Sequence, residues 1–469
     1  MKTLNKDFVK RTYAQIKSII QPESIAIIGA SNKINTINGI ITRNALTGGY
    51  LGRIYLVNPN TNNIFGRTVY PTIKEIPDKI DLAEIVVPAR IVPKIMNEAA
   101  EKGVKGVVIV SSGFAEVGNN RLQDEILKIA REGNVRIIGP NCFGLINTES
   151  ELDITFTFSK AIKGSIAFIS QSGAICSGTL DWASREELGF SKFVNLGNKS
   201  DVDEADLLLY LAKDKQTKVV TLYMEGIKEG RKLFNVAKEV TKDKPVVAIK
   251  SGVSDVGARA ALSHTASIAS SDEIVEAAFN QAGIIRVHDL EELFDLAVAF
   301  AYQKPAKGKN VALVSNTGGL AVITADWCRK IGLDIPVFRD ETVERLKEVL
   351  LPIASPFNPV DMTGTADYDV YRHVLECAFR EENIDCVIAI FASQGVITAD
   401  EPAKAVVDVS KRHNKPALAF WMGGSSIVEA LEIFKENQIP VYSSPKRVAK
   451  AAYFLSRYGI YKENLHNCD

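Results

Sequence analysis

The chain of 469 residues has no surplus charge of either sign: Lys plus Arg number 56, and Asp plus Glu number 56. A broad basic face for nucleic acid would leave a cationic excess, so no nucleic acid partner is expected. No run approaches the ~20 consecutive apolar residues that span a bilayer, so no membrane partner is expected either. The opening stretch, MKTLNKDFVKRTYAQIK, lacks the apolar core and small-residue cleavage site of a secretory signal. The six cysteines (142, 176, 328, 377, 386 and 468) are scattered, with no CxxC pair. That spacing argues against a zinc site and against a disulfide framework. No metal site is expected, and the expected compartment is the reducing cytoplasm. The cysteines read as small buried hydrophobes. What remains is an ordinary globular composition, 46% hydrophobic and 24% charged. At roughly 150 residues per domain the length suggests three domains.

The dominant pattern is a short apolar run, a Gly-containing turn and a helix-like segment. SIAIIGA (24–30), RIYLVNP (53–59), LAEIVVPA (82–89), GVVIVSSG (106–113) and VRIIGPN (135–141) read as buried strands of a first unit closing near residue 150. A second series runs from SIAFIS (165–170) to PVVAIKSG (245–252), and a third from NVALVSN (310–316) to PVYSS (440–444). Strands alternating with helices of 10–15 residues imply an α/β fold with parallel sheets. The polar stretch 301–310, with Pro and Gly, is the best linker candidate. An internal repeat supports the division. Residues 166–189 and 311–334 align at a constant offset of 145, pairing Ser170 with Ser315, Gly173 with Gly318, Asp181 with Asp326 and Trp182 with Trp327.

Each copy ends a strand and opens a helix with a small-residue turn, SQSGA (170–174) and SNTGGL (315–320). Free N–H groups and the positive end of the helix dipole make such a terminus a site for phosphate or carboxylate. One such turn is equally a plain connection; two matched copies suggest one anion between two helix N-termini. The first strand lacks GxGxxG: after Gly29 the next glycine is Gly39. That disfavours a nicotinamide dinucleotide and leaves an adenine nucleotide or coenzyme A open, lying along the strand ends VNPN (57–60), VVPA (86–89) and SSGF (111–114). Of the five histidines, His288, His373, His413 and His466 read as structural or solvated. His264 sits instead in GARAALSHTASIASSDE (257–273), a small-residue loop that leaves a histidine free to act as nucleophile or proton carrier. A nucleophilic histidine needs an acceptor on its other ring nitrogen. Glu225, at the tip of KVVTLYMEG, is the candidate.

IIGAS (27–31), VNPN, VVPA, GPNC (139–142), SQSGA, LDWA (180–183), GFSKFVNLGNKSDVDEADLL (189–208), YMEG (223–226), SHT (263–265) and NPVDMTG (358–364) together resemble one family. It is the α subunits of ADP-forming acetyl-CoA synthetases, NDP-forming acyl-CoA synthetases found mainly in archaea and related to succinyl-CoA synthetase. The resemblance covers about residues 20–455. It implies a Rossmann-like CoA-binding domain at 1–150 and two flavodoxin-like domains at 151–304 and 305–469. It places CoA contacts at Gly29, Ala30, Ser31, Asn58, Pro59, Val87, Pro88, Ser111, Gly113 and Phe114. Phosphate or acyl contacts fall at Gln171, Ser172, Gly173, Asn316, Thr317, Gly318 and Gly319, on the two "power helices" of the family. The implied reaction converts acyl-CoA, phosphate and ADP to acid, CoA and ATP through an acyl phosphate and a phosphohistidine at His264, oriented by Glu225. One departure is SHTAS (263–267), where the family commonly has SHTGS. No ATP-grasp segment is recognisable, so a separate ATP-grasp β subunit is expected to hold ADP or ATP with Mg2+. The rival expectation is a non-catalytic acyl-CoA sensor of the same fold.

Overall fold

The computed structural model describes residues 4–254, 256–257 and 271–466, and divides the chain into two compact units, Met1–His288 and Asp289–Asp469. The expected α/β fold is found. The helix Leu290–Tyr302, which precedes the expected linker, lies with the second unit.

The first unit holds two seven-stranded sheets. One contains β1 (Ser24–Ile28), β2 (Arg53–Val57), β3 (Asn63–Ile64), β4 (Arg67–Tyr70), β5 (Leu82–Ile85), β6 (Gly106–Ile109) and β7 (Arg136–Ile138), in the order β3-β4-β2-β1-β5-β6-β7. All its pairings are parallel except β3 with β4. The strand order reverses beside β1, with β2 on one side and β5 on the other, which is where open α/β sheets bind ligands. The second sheet contains β8 (Gly144–Asn147), β9 (Leu152–Thr155), β10 (Ile162–Ser170), β11 (Gly189–Asn195), β12 (Val219–Met224), β13 (Val246–Lys250) and β14 (Ile285–Val287), in the order β14-β13-β12-β10-β11-β8-β9. Its four long strands are parallel; β8, the first strand of the hairpin β8–β9 that straddles residue 150, pairs antiparallel with β11. β1, β5, β6 and β13 are buried end to end and β12 at every residue but Tyr223, the reason they read as continuous apolar runs.

One continuous core joins the two sheets. Ile25, Leu82 and Val108 of the first belong to the same buried cluster as Ala167, Leu222 and Val246 of the second. The seam includes two helices. Lys6–Ile20 buries Val9, Ile16, Ile19 and Ile20, and Glu204–Leu211 is buried on every side. Tyr13 stacks on Tyr210 across them at 5.9 Å. A helix without a wet face needs its polar groups satisfied. Asp203 and Asp206 form a capping box at its start, and Arg136 of β7 pairs with Asp206 at 2.7 Å and with Asp201 at 2.8 Å.

The second unit is a five-stranded parallel sheet of β15 (Val311–Ser315), β16 (Val360–Asp361), β17 (Cys386–Ala392), β18 (Ala417–Met422) and β19 (Val441–Tyr442), in the order β16-β15-β17-β18-β19. Trp421 is wholly buried between Phe391 and Phe434. Cys142, Cys176, Cys328, Cys377 and Cys386 are buried and unbridged, as expected; Cys468 lies outside the described residues. No helix among the described residues is long and apolar enough to cross a membrane.

Candidate functional site

The first sheet brings the segments after β1, β2, β5 and β6 to its carboxyl edge, because these four strands are adjacent and parallel. Gly29 takes φ +92°, and a Cβ there would lie 2.3 Å from the Val86 carbonyl oxygen, so only glycine makes this turn. The turn is held from both sides: Asn38 Nδ2 donates to the Gly29 carbonyl at 2.8 Å, and Asn58 Nδ2 to the Ala30 carbonyl at 2.9 Å. Ser111 Oγ donates to the Val87 carbonyl at 2.6 Å and accepts from the Val87 N–H at 3.2 Å, tying the end of β6 to that of β5. Pro59 and Pro88 are exposed on this edge. Ala30 and Phe114 are wholly buried, so their side chains are core. Glu116 Oε1 accepts from the Gly113 and Phe114 amides, and its other oxygen from Asn198 Nδ2. Burial alone would raise this carboxyl; the hydrogen bonds from Asn198 and the two amides outweigh it and hold the pKa below the ordinary value.

The two repeat copies turn from strand to helix in the same way. Ser170 Oγ bonds the Ser172 carbonyl and N–H at 3.1 Å each; Ser315 Oγ bonds the Thr317 carbonyl at 2.8 Å and its N–H at 3.1 Å. The helices Gly173–Arg185 and Gly318–Ile331 follow. In the first, the Ser172 hydroxyl caps the Ile175 N–H, and those of Gly173 and Ala174 have no acceptor among the described residues. In the second, Thr317 makes no side-chain cap, so the N–H groups of Gly318, Gly319 and Leu320 have no acceptor among the described residues. These open donors suit an anion.

The side chains of Gln171 and Asn316, two residues expected at the anion site, bond to the neighbouring strand. Gln171 Oε1 accepts from the N–H groups of Glu225, at 2.5 Å, and Gly226, at 3.0 Å. Asn316 exchanges two 2.9 Å bonds with the N–H and C=O of Ala392. Both are buried, and a side-chain amide there fastens the end of the neighbouring strand.

Glu225 follows β12 directly, at the same sheet edge as Gly173. Its carbonyl accepts from Lys250 Nζ at 2.8 Å, and the Gly226 carbonyl from Lys199 Nζ at 2.6 Å. Lys199 is buried and paired with both carboxylate oxygens of Glu204, at 2.8 and 3.0 Å. Burial, with the Arg286 guanidinium nearby, pushes Lys250 below the ordinary lysine value. In the sequence Lys199 and Glu204 stand only inside the motif 189–208, and the one local signal of Lys250 is a lysine closing the otherwise apolar run VVAIK. His264 lies outside the described residues. Among those described, no group of three or more His, Cys, Asp or Glu side chains could hold a metal ion.

Two family models match: a CoA binding domain over residues 23–148 and a succinyl-CoA ligase like flavodoxin domain over 163–300. The acetate–CoA ligase [ADP-forming] II subunit alpha of Pyrococcus furiosus is 42% identical, over 92% of this chain and 96% of its own length. The acetate–CoA ligase [ADP-forming] I of Archaeoglobus fulgidus is 40% identical over 94% of this chain, which spans only 64% of that longer protein. Among solved structures, the Ca. Korarchaeum cryptofilum dinucleotide forming acetyl-coenzyme A synthetase 1, in complex with phosphate and ADP, superimposes with a TM-score of 0.91. It is 34% identical and covers 96% of this chain and 98% of that one. A sheet edge matching a CoA-binding model, followed by a succinyl-CoA ligase-like domain, defines the class as CoA-handling α/β proteins. The chain belongs to the family of ADP-forming acetate–CoA ligase α subunits, within the succinyl-CoA synthetase superfamily.

Proposed function

We propose that the chain is the α subunit of an ADP-forming acyl-CoA ligase with His264 as its phosphoryl carrier. The carboxyl edge of the first sheet binds CoA through the segments at Gly29–Ser31, Asn58–Pro59, Val87–Pro88 and Ser111–Phe114. There Asn58 and Ser111 shape the edge through backbone bonds, and Phe114 contributes backbone alone. A phosphate oxygen attacks the thioester carbonyl, and the CoA thiolate leaves and takes up a proton. A neutral imidazole nitrogen of His264 then attacks phosphorus of the acyl phosphate, and the carboxylate leaves. A terminal phosphate oxygen of ADP attacks phosphorus of the phosphohistidine, the P–N bond breaks, and ATP and the neutral imidazole are released.

Glu225 holds the other ring N–H of His264 and stabilises the imidazolium that forms. The open donors at Ser172–Gly173 stabilise the phosphoryl charge, and those at Thr317–Gly319 form an anion terminus on the second unit, so electrostatic positioning carries most of the rate. ADP or ATP with Mg2+ is held by an ATP-grasp β subunit, in keeping with a relative named as a subunit alpha.

The observation that carries this reading is Glu225, pinned through Gln171 two residues before the open helix terminus at Gly173. Incubation with acetyl-CoA and labelled phosphate tests it. Acid-labile label is expected on the wild type and none on His264→Ala. Equal labelling of both, or none on the wild type, overturns the assignment.

A further inference from the structure

We propose that Lys199, acting with Lys250 and Gln171, is a positioning residue that fixes the carboxylate of Glu225; this rests on the reading of Glu225 as the acid that orients His264. β12 ends at Met224, and beyond it the backbone groups of Glu225 and Gly226 are met by side chains. Both N–H groups go to Gln171 Oε1, the Glu225 carbonyl to Lys250 Nζ at 2.8 Å and the Gly226 carbonyl to Lys199 Nζ at 2.6 Å. The three side chains come from the end of β10, the end of β13 and the loop after β11. Two consecutive residues are thereby fixed on all four backbone groups from three directions.

The chemistry of Lys199 fits this role. Its side chain is only 1% exposed, and its three donors go to the two Glu204 oxygens and the Gly226 carbonyl. Apolar residues can replace a buried ion pair with little or no loss of stability, so stability alone does not explain a lysine here. The backbone of Lys199 is itself held, with φ +49°, its N–H on the Leu196 carbonyl at 2.9 Å and its carbonyl on Lys228 Nζ at 2.8 Å. The lysine is thus anchored at both ends.

The second repeat copy is an internal control. Strand register equates Tyr223, opposite Ser170, with Ile390, opposite Ser315, so the counterpart of Glu225 is Ala392. By the same register Lys250, opposite Met224, corresponds to Trp421, opposite Phe391. The amide clamp is kept there, as Asn316 on Ala392, but the acid is gone and so is this lysine. The lysine accompanies the carboxylate, whereas the clamp serves the fold in both copies.

The test uses the full chain with 15N-labelled histidine, the His264 resonances being assigned from His264→Asn. Two quantities are read: the rate of phosphorylation by acetyl phosphate and the imidazole pKa of His264. Glu225→Gln and Lys199→Met are each expected to slow phosphorylation roughly a hundredfold, the scale of a misplacement of about 1 Å at a reacting group. Each is expected to lower the His264 pKa by the same amount, and the double variant to show no further change. If Glu225→Gln moves both quantities and a folded Lys199→Met moves neither, the inference is overturned while the role of Glu225 stands. A slowed rate with unchanged His264 pKa, or additive effects in the double variant, also overturns it. If Glu225→Gln moves neither, the reading of Glu225 itself fails. Should Lys199→Met not fold, Gln171→Met, which removes the acceptor for both amides, takes its place under the same criteria.

Discussion

The two repeat copies share a strand, a serine-held turn, a helix and an amide clamp on the next strand, yet they differ at the clamped residue. In the first copy it is Glu225, flanked by buried cations; in the second it is Ala392. The second copy compensates in donors. Its helix has no side-chain cap and leaves three N–H groups without an acceptor among the described residues, whereas Ser172 closes one in the first. Duplication preserved the parts that hold a sheet edge together. Beyond those parts the copies diverged, one carrying an acid at the clamped position and the other an uncapped helix terminus. Repeats constrained by packing and freed in chemistry follow this pattern.

The largest expected effect comes from converting the first copy into the second. Glu225→Ala should slow phosphoenzyme formation by about a hundredfold or more in single-turnover labelling, with an unchanged unfolding midpoint. A rate within threefold of wild type would mean that the divergence between copies carries no chemistry. Next is Asn316→Leu, which strips the half-buried Ala392 amide and carbonyl of their partner. It should destabilise the second unit by about 1–3 kcal/mol in denaturant titration. Comparable loss of phosphorylation activity at unchanged stability would show that this clamp is more than structural.

The glycines opening the helices give a smaller, paired test. A Cβ at Gly318 would lie 2.7 Å from Asp361 Oδ2, whereas at Gly173 nothing is closer than 3.9 Å. Gly318→Ala should cost about 1 kcal/mol or more through displacement of Asp361, and Gly173→Ala should leave the melting temperature in place. Equal effects would remove the asymmetry.

The smallest effect is a control outside both copies. Glu84, on β5, is fully buried with neither carboxylate oxygen bonded among the described residues, and burial, reinforced by Asp153, holds its pKa well above 4.5. The folded chain keeps a proton there that the unfolded chain releases above about pH 4.5. Stability therefore falls as pH rises past that value. Glu84→Leu should remove that slope and raise stability by about 1 kcal/mol at neutral pH, with little change at pH 4. A variant less stable than wild type at pH 7 would show that the carboxyl has a native role.

The strands were legible because parallel strands buried on both faces appear as uninterrupted apolar runs. The repeat was legible because its turn residues are fixed by geometry. The helix Glu204–Leu211 was not, since burial on every side erases the amphipathic period. β3 and β16, two residues each, leave no period at all, whereas the equally short β19 falls inside PVYSS (440–444), which reads as a strand. His413 reads as solvated beside its lysines and arginine, yet it stacks on Phe379 at 5.1 Å and lies 3.3 Å from Glu376. That Gln171 and Asn316 fasten the neighbouring strand was not legible, because sequence does not say which way a polar side chain at a strand end points. Lys199 and Lys250 look like any solvated lysine until tertiary structure closes over them. Partners far apart in the chain, such as Lys250 and Glu225, cannot be paired by local pattern.

The continuous core beneath the first two sheets also bears on how the molecule comes apart. A cut at residue 150 would divide the antiparallel hairpin Gly144–Thr155 and strip the helix Lys6–Ile20 of the helix Glu204–Leu211 that it packs against. The CoA-binding sheet is therefore not a detachable module here. Residues up to 288 should melt in one cooperative transition, and a fragment ending at 150 should expose enough apolar surface to aggregate.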